Sequence, residues 1–192
     1  ASNATEYQTM CKNRPSPDWR VSQGNGICRM FPPEIDSSTL ISIVMPSACK
    51  LEYLKPCIES IFGKTNHPSF EIILVINEIR YTIEEQSDYL EELEKDSRVR
   101  ISRYPNQEFN YSSTINLGVA DAKGDLLCLL NDDMEIISPD WLSEMAGWLT
   151  LQKTGAVGTR LLYPNETIQH AGITLGMNGL VDHVEKGAVR ED

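Results

Sequence analysis

Apolar residues fall into two alternating patterns along this chain: short unbroken runs, and longer stretches with apolar positions at helical spacing. The unbroken runs are rich in β-branched side chains and end at Pro or at polar residues, which favours strands. They predict strands at residues 40–45 (stopped by Pro46), 70–76, 99–103, 126–130 and 156–162, followed by an apolar stretch at 168–175. Residues 99–103 alternate as in a half-exposed strand, whereas the uninterrupted run at 126–130 predicts a strand buried on both faces of a parallel sheet.

The segments between these runs carry helical spacing and helix-boundary signals. They predict helices at residues 51–63 (with Pro56 as an alternative start), 83–95, 110–122 and 139–151, the last with Ser138 as its N-cap. Strands that alternate with helices of this length imply βαβ units, so we predict an α/β fold with a mostly parallel sheet and helices on both faces. This domain is expected to span residues 39–192. Residues 1–38 are rich in Pro, Gly, Ser and Asn without a sustained period, which indicates a leader or the tail of an upstream region, its first residues resembling a tag remnant.

Composition narrows the class of protein. The chain has 192 residues, 41% of them hydrophobic, and a net charge of −11 with a pI near 4.7. A protein this acidic is a poor general binder of nucleic acid, which requires basic surface, so we expect no nucleic-acid partner. No apolar run reaches the roughly 18 residues of a membrane span. The five cysteines form no CxxC pair, and Cys128 is expected to be a small core residue; a reducing cytoplasm is the simplest setting.

The strongest chemical signal follows the run at residues 126–130, which ends in Asn131-Asp132-Asp133. Open α/β sheets bind ligands beyond the carboxyl ends of their strands, so these side chains are placed where such a fold does its chemistry. Adjacent carboxylates repel each other and suit an oxygen-seeking divalent cation that keeps positions open for phosphate. The pattern predicts a metal–diphosphate site, with a plain polar turn between strand and helix as the alternative.

Several segments together resemble family-2 glycosyltransferases, which have the GT-A fold, a nucleotide-sugar-binding α/β sandwich. The resemblance lies in the order and spacing of residues 42–47, 71–75, 116–118, 122–125 and 130–133. Residues 155–164 and 167–172 are similar to a subgroup that builds bacterial cell-surface polysaccharide and is described as rhamnosyltransferase-like. The resemblance covers about residues 40–187. Each segment alone is weak evidence, and the ordered set is strong.

The resemblance implies a metal-dependent, inverting transfer of a sugar from a nucleotide-diphosphate donor to a saccharide or lipid-linked saccharide acceptor. The family's Asp-x-Asp motif, which holds Mg²⁺ or Mn²⁺, falls on Asn131, Asp132 and Asp133, and Asp133 is the expected principal ligand. Without a cation, a carboxylate about 6 Å from a phosphate charge costs roughly 3 kcal/mol at an effective dielectric near 20. The residues expected to contact the donor nucleotide or sugar are Pro46, Ser47, Asn77, Asn116 and Asp132.

The chain departs from the family pattern at four places. Asn131 replaces the motif's first acid, Ile76 stands where an aspartate usually reads the base (with Asn77 beside it), and Ala48-Cys49 replaces Tyr-Asn. The fourth is the general base, a carboxylate expected beyond residue 192, because Glu191-Asp192 follows Gly187 too soon to be the family's pair. The remaining catalytic candidate is His170, which could approach the donor sugar or acceptor; a structural histidine is the alternative reading, as it is for His183.

Other classes of function stay open at this stage. A non-catalytic GT-A-like domain with a binding or structural role is favoured by the replaced motif residues and the missing base. A sugar-phosphate nucleotidyltransferase would need a glycine-rich, Arg-containing loop after the first strand, which residues 46–50 do not supply. A receiver-like module would need a phosphoacceptor aspartate and a matching lysine that we cannot place. For the enzyme we expect a cytoplasmic location, with peripheral association at the inner membrane face as an option for the full-length protein.

Overall fold

A computed structural model describes residues 2–24, 27–77, 84–104, 108–176 and 181–189. The chain divides into two compact units, one formed by Ile35–Ser143 and the other by Ala1–Glu34 with Glu144–Asp192. The helices are α1 Ser2–Asn13, α2 Leu51–Lys64, α3 Glu84–Leu93, α4 Tyr111–Asp121 and α5 Trp141–Trp148. The strands are β1 Arg20–Gly24, β2 Ile27–Phe31, β3 Ile41–Ser47, β4 Phe70–Asn77, β5 Val99–Tyr104, β6 Leu126–Leu129, β7 Leu161–Leu162, β8 Ile168–His170, β9 Ile173–Leu175 and β10 Val181–His183.

The unit Ile35–Ser143 contains a four-stranded parallel sheet in the order β5-β4-β3-β6, with α2, α3 and α4 connecting the strands. This confirms the α/β prediction. The chain steps from β3 to β4 to β5 in one direction and then returns to place β6 on the other side of β3. That reversal is a topological switch point between β3 and β6, the position where open α/β sheets form a ligand crevice.

The centre of this sheet is covered on both faces. Val44 and Val75 are fully buried under α4, where a Cβ on Gly118 would lie 2.5 and 2.7 Å from their methyl groups. The absence of a side chain at Gly118 therefore lets the helix approach the sheet closely. Ile43 and Met45 point to the opposite face because side chains alternate along a strand, and they are also fully buried.

One predicted strand end and one alternative helix start in this unit, both at proline, are wrong. Pro46 does not stop the first strand, because β3 continues to Ser47 and Pro46 pairs with Val75. The backbone groups of Val44 and Pro46 point toward β6, whose pairing with β3 ends at Val44, so the N–H that Pro46 lacks has no ladder partner to lose. The helix α2 begins at Leu51, as predicted, and runs through Pro56, so the alternative start at Pro56 is wrong. It is held by buried side chains on one face, so packing outweighs the missing backbone bond.

The prediction that residues 126–130 are buried on both faces is wrong. β6 pairs only with β3 among the described residues, and Leu127 and Leu129 are 47% and 52% exposed. The side chains of Leu126 and Cys128, on the other face, are half-buried. The unbroken apolar run therefore forms an edge strand. One face of this strand also lacks a covering element among the described residues.

The second unit contains regular structure where none was expected. Residues 1–38 include α1 and an antiparallel β1–β2 hairpin, and Trp19 is buried against Trp148 with an edge-to-face ring contact at 4.8 Å. Gly147 packs so close to Pro33 that a Cβ would lie 2.6 Å from its carbonyl oxygen. Aromatic packing and backbone contact, neither of which has a sequence period, thus order this region.

The last part of the chain is less regular than predicted. The strand expected at 156–162 is reduced to β7, and α5 begins at Trp141 and ends at Trp148, with Ser138 accepting only a turn bond from the Trp141 N–H at 3.1 Å. The stretch 168–175 is divided into β8 and β9 by Gly172, whose φ of +119° favours glycine. Ile83, the expected first residue of the helix predicted at 83–95, lies outside the described residues. No helix in the described parts of the chain is long and apolar enough to cross a membrane.

Candidate functional site

The carboxyl ends of β3 and β6 meet at a hydrogen bond between their polar residues. Ser47 is the last residue of β3, and its Oγ donates to Oδ2 of Asp132 at 2.5 Å while accepting from the backbone N–H of Cys49 at 2.9 Å. Leu130 is held beside β3 by its N–H bond to the Val44 carbonyl at 3.1 Å. The structure therefore brings two predicted site residues, Ser47 and Asp132, together at the switch point.

One face of α2 fixes the acidic loop after β6. The Sγ of Cys57 lies 3.8 Å from the Asn131 carbonyl, Ser60 Oγ accepts from the Ile136 N–H at 3.0 Å, and Lys64 Nζ donates to the Ile136 carbonyl at 2.8 Å. These three α2 residues are spaced i, i+3 and i+7, so they share one helix face. Their contacts with the loop were not predicted, although polar residues on an otherwise apolar helix stripe are a usable signal.

The two carboxylates of the loop differ in their surroundings. Asp132 is partly buried and anchored by Ser47, whereas Asp133 is exposed and forms no side-chain hydrogen bond with any described residue, so no local helix cap holds it. Asn131 is also exposed. No group of three His, Cys, Asp or Glu side chains converges in the described ranges, so a cation here would take its other ligands from phosphate and water. Two carboxylates with substrate phosphates are a donor set that fits Mg²⁺ or Mn²⁺.

Two buried thiols beside the loop have raised pKa values, mainly because they are buried. Burial, with a further contribution from Asp132, raises the pKa of Cys49 to about 11. Burial is also the main cause that raises the pKa of Cys57 to about 12, and Asp132, Asp133 and Glu135 add to it. The carboxylates thus concentrate negative charge near the switch point, a potential that attracts cations and opposes an anionic ligand bound alone.

The turn after Ser47 is shaped by a strained residue. Cys49 is fully buried with a φ of +57°, in the left-handed region that non-glycine residues rarely adopt. Its carbonyl accepts a bond from Gln86 Nε2 on α3 at 2.7 Å, and the Oε1 of the same amide is buried without a partner among the described residues. Gln86 was not anticipated, because nothing in the spacing of α3 relates it to this turn.

The other predicted donor-binding residues lie on three different elements. Pro46 is adjacent to Ser47 on β3, and Asn77 ends β4, where it is buried and pairs in register with Tyr104. Asn116 is exposed in the middle of α4, and no hydrogen bond among the described residues joins it to the strand ends. Their nucleotide-contacting roles stay predictions.

One resemblance motif lies at the amino ends of the central strands and is structural. Ser42 Oγ donates to the buried Glu71 at 2.7 Å and accepts from the Gly124 N–H at 2.8 Å, and the Lys123 N–H bonds to the same Glu71 oxygen at 2.7 Å. A Cβ on Gly124 would lie 2.6 Å from the Ser42 nitrogen and 2.7 Å from the Leu40 carbonyl oxygen. Residues 122–125 therefore join α4 to β6 and do not approach the carboxyl ends of the strands.

The histidine candidate lies in the second unit. His170 ends β8, and its Nδ1 lies 2.8 Å from Nδ1 of His183 at the end of β10. A cavity of about 460 Å³ beside His170 is lined by residues 158–160 and 170–172. The pairing of the two histidines was not predicted, and the catalytic role of His170 stays a prediction. Glu191 and Asp192 lie outside the described residues.

A parallel sheet with a switch point between β3 and β6 is an open α/β fold, and its architecture is that of the GT-A glycosyltransferases. The mannosyltransferase PcManGT from Pyrobaculum calidifontis, solved in complex with GDP-Man and Mn²⁺, superposes with a TM-score of 0.52 at 14% identity, over 86% of this chain and 44% of that one. The model of the glycosyl transferase family 2 matches residues 42–175. The chain belongs to this family, as the ordered motifs predicted.

Two curated proteins are similar in sequence to this chain. The uncharacterized protein y4gI of Sinorhizobium fredii is 38% identical over 151 residues, which cover 78% of this chain and 16% of that protein. The O-antigen biosynthesis protein RfbC of Myxococcus xanthus is 35% identical over 143 residues, which cover 74% of this chain and 11% of that protein. The chain thus spans a small part of the length of the curated relatives it matches.

Proposed function

We propose that this chain binds the nucleotide-diphosphate sugar of a glycosyltransferase that transfers the sugar to a saccharide or lipid-linked saccharide acceptor. The observation that carries the proposal is the bond from Ser47 to Asp132, which fixes a carboxylate at the switch point between β3 and β6. Donor nucleotides in open α/β folds lie at this place, against the carboxyl ends of the strands.

The loop residues have separate parts in this proposal. Ser47 occupies one oxygen of Asp132, so the other oxygen can face a cation or the ribose of the donor. Asp133, exposed and without a described bond, can turn toward the cation, and Asn131 adds a neutral oxygen. A bound Mg²⁺ or Mn²⁺ supplies positive charge that neutralises the departing nucleoside diphosphate. The oxygen ligands that these side chains offer support a hard cation at this loop.

One relative supports the proposed acceptor, and the cysteines support the proposed setting. RfbC is named for O-antigen biosynthesis, which supports a saccharide acceptor in cell-surface polysaccharide assembly. Inversion at the sugar carbon is proposed from the family resemblance. A cytoplasmic site of action, at the inner membrane face in the full-length protein, agrees with five cysteines that form no disulfide.

Metal-dependent nucleotide binding tests the proposal without requiring turnover. Calorimetric titration of UDP, GDP and dTDP into the protein with Mn²⁺ is expected to show binding of at least one nucleotide, and replacement of Mn²⁺ by EDTA should weaken it at least tenfold, because carboxylates and phosphates then repel each other.

The matched variants are Asp133→Asn and Glu135→Gln, which each remove one negative charge from the same loop. Asp133→Asn is expected to weaken the Mn²⁺-dependent binding about tenfold or more, while the exposed Glu135 should change it less than threefold. Binding of no nucleotide by the folded protein would reject the proposal and favour the non-catalytic GT-A-like domain. Equal losses in both variants would contradict the role of Asp133.

A further inference from the structure

The histidine pair in the second unit is a distinct cluster of metal-binding atoms that the proposed transfer does not use. The two Nδ1 atoms of His170 and His183 face each other at 2.8 Å, with ring planes at 80° and ring centroids 5.0 Å apart. Imidazole nitrogens are the ligands that suit zinc, copper and nickel, in contrast to the oxygen ligands of the acidic loop. We propose that His170 and His183 together bind a divalent transition-metal ion of the zinc type through their Nδ1 atoms.

The backbone around the pair holds the two rings in this position. Gly172, with its left-handed φ, turns the chain after His170, and its carbonyl accepts from the Val184 N–H at 3.0 Å. The backbone of Ile168 forms two hydrogen bonds with the segment after β10. Its carbonyl accepts from the Gly187 N–H at 2.7 Å, and its N–H donates to the Ala188 carbonyl at 2.9 Å. The histidines are thus attached to segments already joined by backbone bonds, so little ordering is needed to bring both nitrogens to one ion.

The distance between the nitrogens is close to that required by a metal ion. Two nitrogens on tetrahedral zinc lie about 3.3 Å apart, given a Zn–N bond of about 2.0–2.1 Å. The pair must therefore open by about half an ångström, which a small ring rotation supplies. His183 is exposed and His170 is partly exposed beside its cavity, so water can complete the coordination.

The number of hydrogens on the ring nitrogens is also compatible with metal binding at both Nδ1 atoms. A neutral imidazole carries one hydrogen, so in the hydrogen-bonded pair one Nδ1 is protonated and the other accepts. When the ion binds, the hydrogen of the first ring moves from Nδ1 to Nε2 through solvent, and both Nδ1 lone pairs become ligands. At a pH where both rings are neutral, no net proton is lost.

Zinc titration followed by calorimetry tests the site. The titrations use the Asp133→Asn background, which separates this ion from any bound at the acidic loop. We expect one Zn²⁺ per chain, with at least tenfold weaker binding in His170→Ala and in His183→Ala. Gln169→Ala, one position earlier on β8, is the matched control and should bind as the parent does. Unchanged affinity in both histidine variants, with folding verified by circular dichroism, would overturn the proposal.

A second readout uses the unmutated protein, so it does not depend on whether a variant folds. In ¹⁵N–¹H correlation spectra of the imidazole rings, Zn²⁺ should shift the Nδ1 signals of both histidines and convert both rings to the Nε2–H form, whereas Mg²⁺ should leave them unchanged. Nδ1 signals that stay unchanged at saturating Zn²⁺, or that respond equally to Mg²⁺, would rule the site out. Failure of nucleotide binding at the acidic loop would leave this result unaffected.

Discussion

The hydroxyl of Ser47 joins the end of β3 to Asp132, 85 residues later in the loop after β6, because it donates to Asp132 Oδ2 while accepting from the Cys49 N–H. This one hydroxyl thus provides a hydrogen-bond donor for the Asp132 carboxylate and an acceptor for the backbone of the strained turn at Cys49. Removing it leaves both without their partner.

Ser47→Ala is therefore expected to lower the free energy of unfolding by about 1.5–3 kcal/mol, the loss typical of a hydrogen bond to a charged group. It should also weaken Mn²⁺-dependent nucleotide binding several-fold, because Asp132 loses its fixed orientation. Ser112→Ala on the exposed side of α4 is the control and should change neither quantity measurably. Wild-type nucleotide affinity in Ser47→Ala would show that this bond does not position Asp132 for binding.

The close approach of Gly124 to the backbone of β3 predicts an unusually damaging Gly→Ala substitution. A methyl group there meets backbone atoms of Ser42 and Leu40 at 2.6 and 2.7 Å, so the strand must move. We expect Gly124→Ala to destabilise the fold by about 2 kcal/mol or more. Gly63→Ala, in a helix position with open space around it, should be neutral or stabilising by up to about 1 kcal/mol. Thermal unfolding of the two variants measures the difference, and similar melting temperatures would contradict the packing of residues 122–125.

The different burial of two leucines in one sheet predicts unequal losses of stability when each is replaced by alanine. Leu74 on β4 is fully buried, and Leu74→Ala should cost about 2–5 kcal/mol through lost burial and the cavity left behind. Leu129 on β6 is 52% exposed, and Leu129→Ala should cost less than about 1 kcal/mol. Urea unfolding of both variants provides the comparison. A loss at Leu129 as large as that at Leu74 would mean that another element covers this face of β6.

The half-buried thiol of Cys128 predicts a loss of stability at high pH. Burial raises its pKa from an ordinary value of 9.0 to about 12. The folded state holds the thiol proton more tightly than the unfolded state. The stability that this difference contributes is complete below pH 9 and is lost as the pH rises toward 12. The urea midpoint of the wild type should therefore fall between pH 9 and pH 11, and less steeply in Cys128→Val. Parallel curves for the two proteins would show that the thiol does not titrate differently on unfolding.

Local patterns predicted the class of fold and several elements closely. The helix expected at 110–122 is α4, and its predicted first residue, Asn110, caps it by accepting from the Ser113 N–H at 3.0 Å. The strands expected at 70–76 and 99–103 are β4 and β5, each extended by one residue at its carboxyl end. These elements were predictable because their apolar periods and boundary residues act within a few positions of the chain.

The sequence by itself determined an alternating α/β order, membership in a glycosyltransferase family and an acidic loop after a fourth strand. The tertiary structure decided that this strand lies at an edge, that α2 passes through Pro56, that Ser47 holds Asp132, and that His170 meets His183. Each of these depends on which distant segments become neighbours. A hydrophobic period shows which side chains of one segment share a buried face, but it does not show which other segment packs against that face.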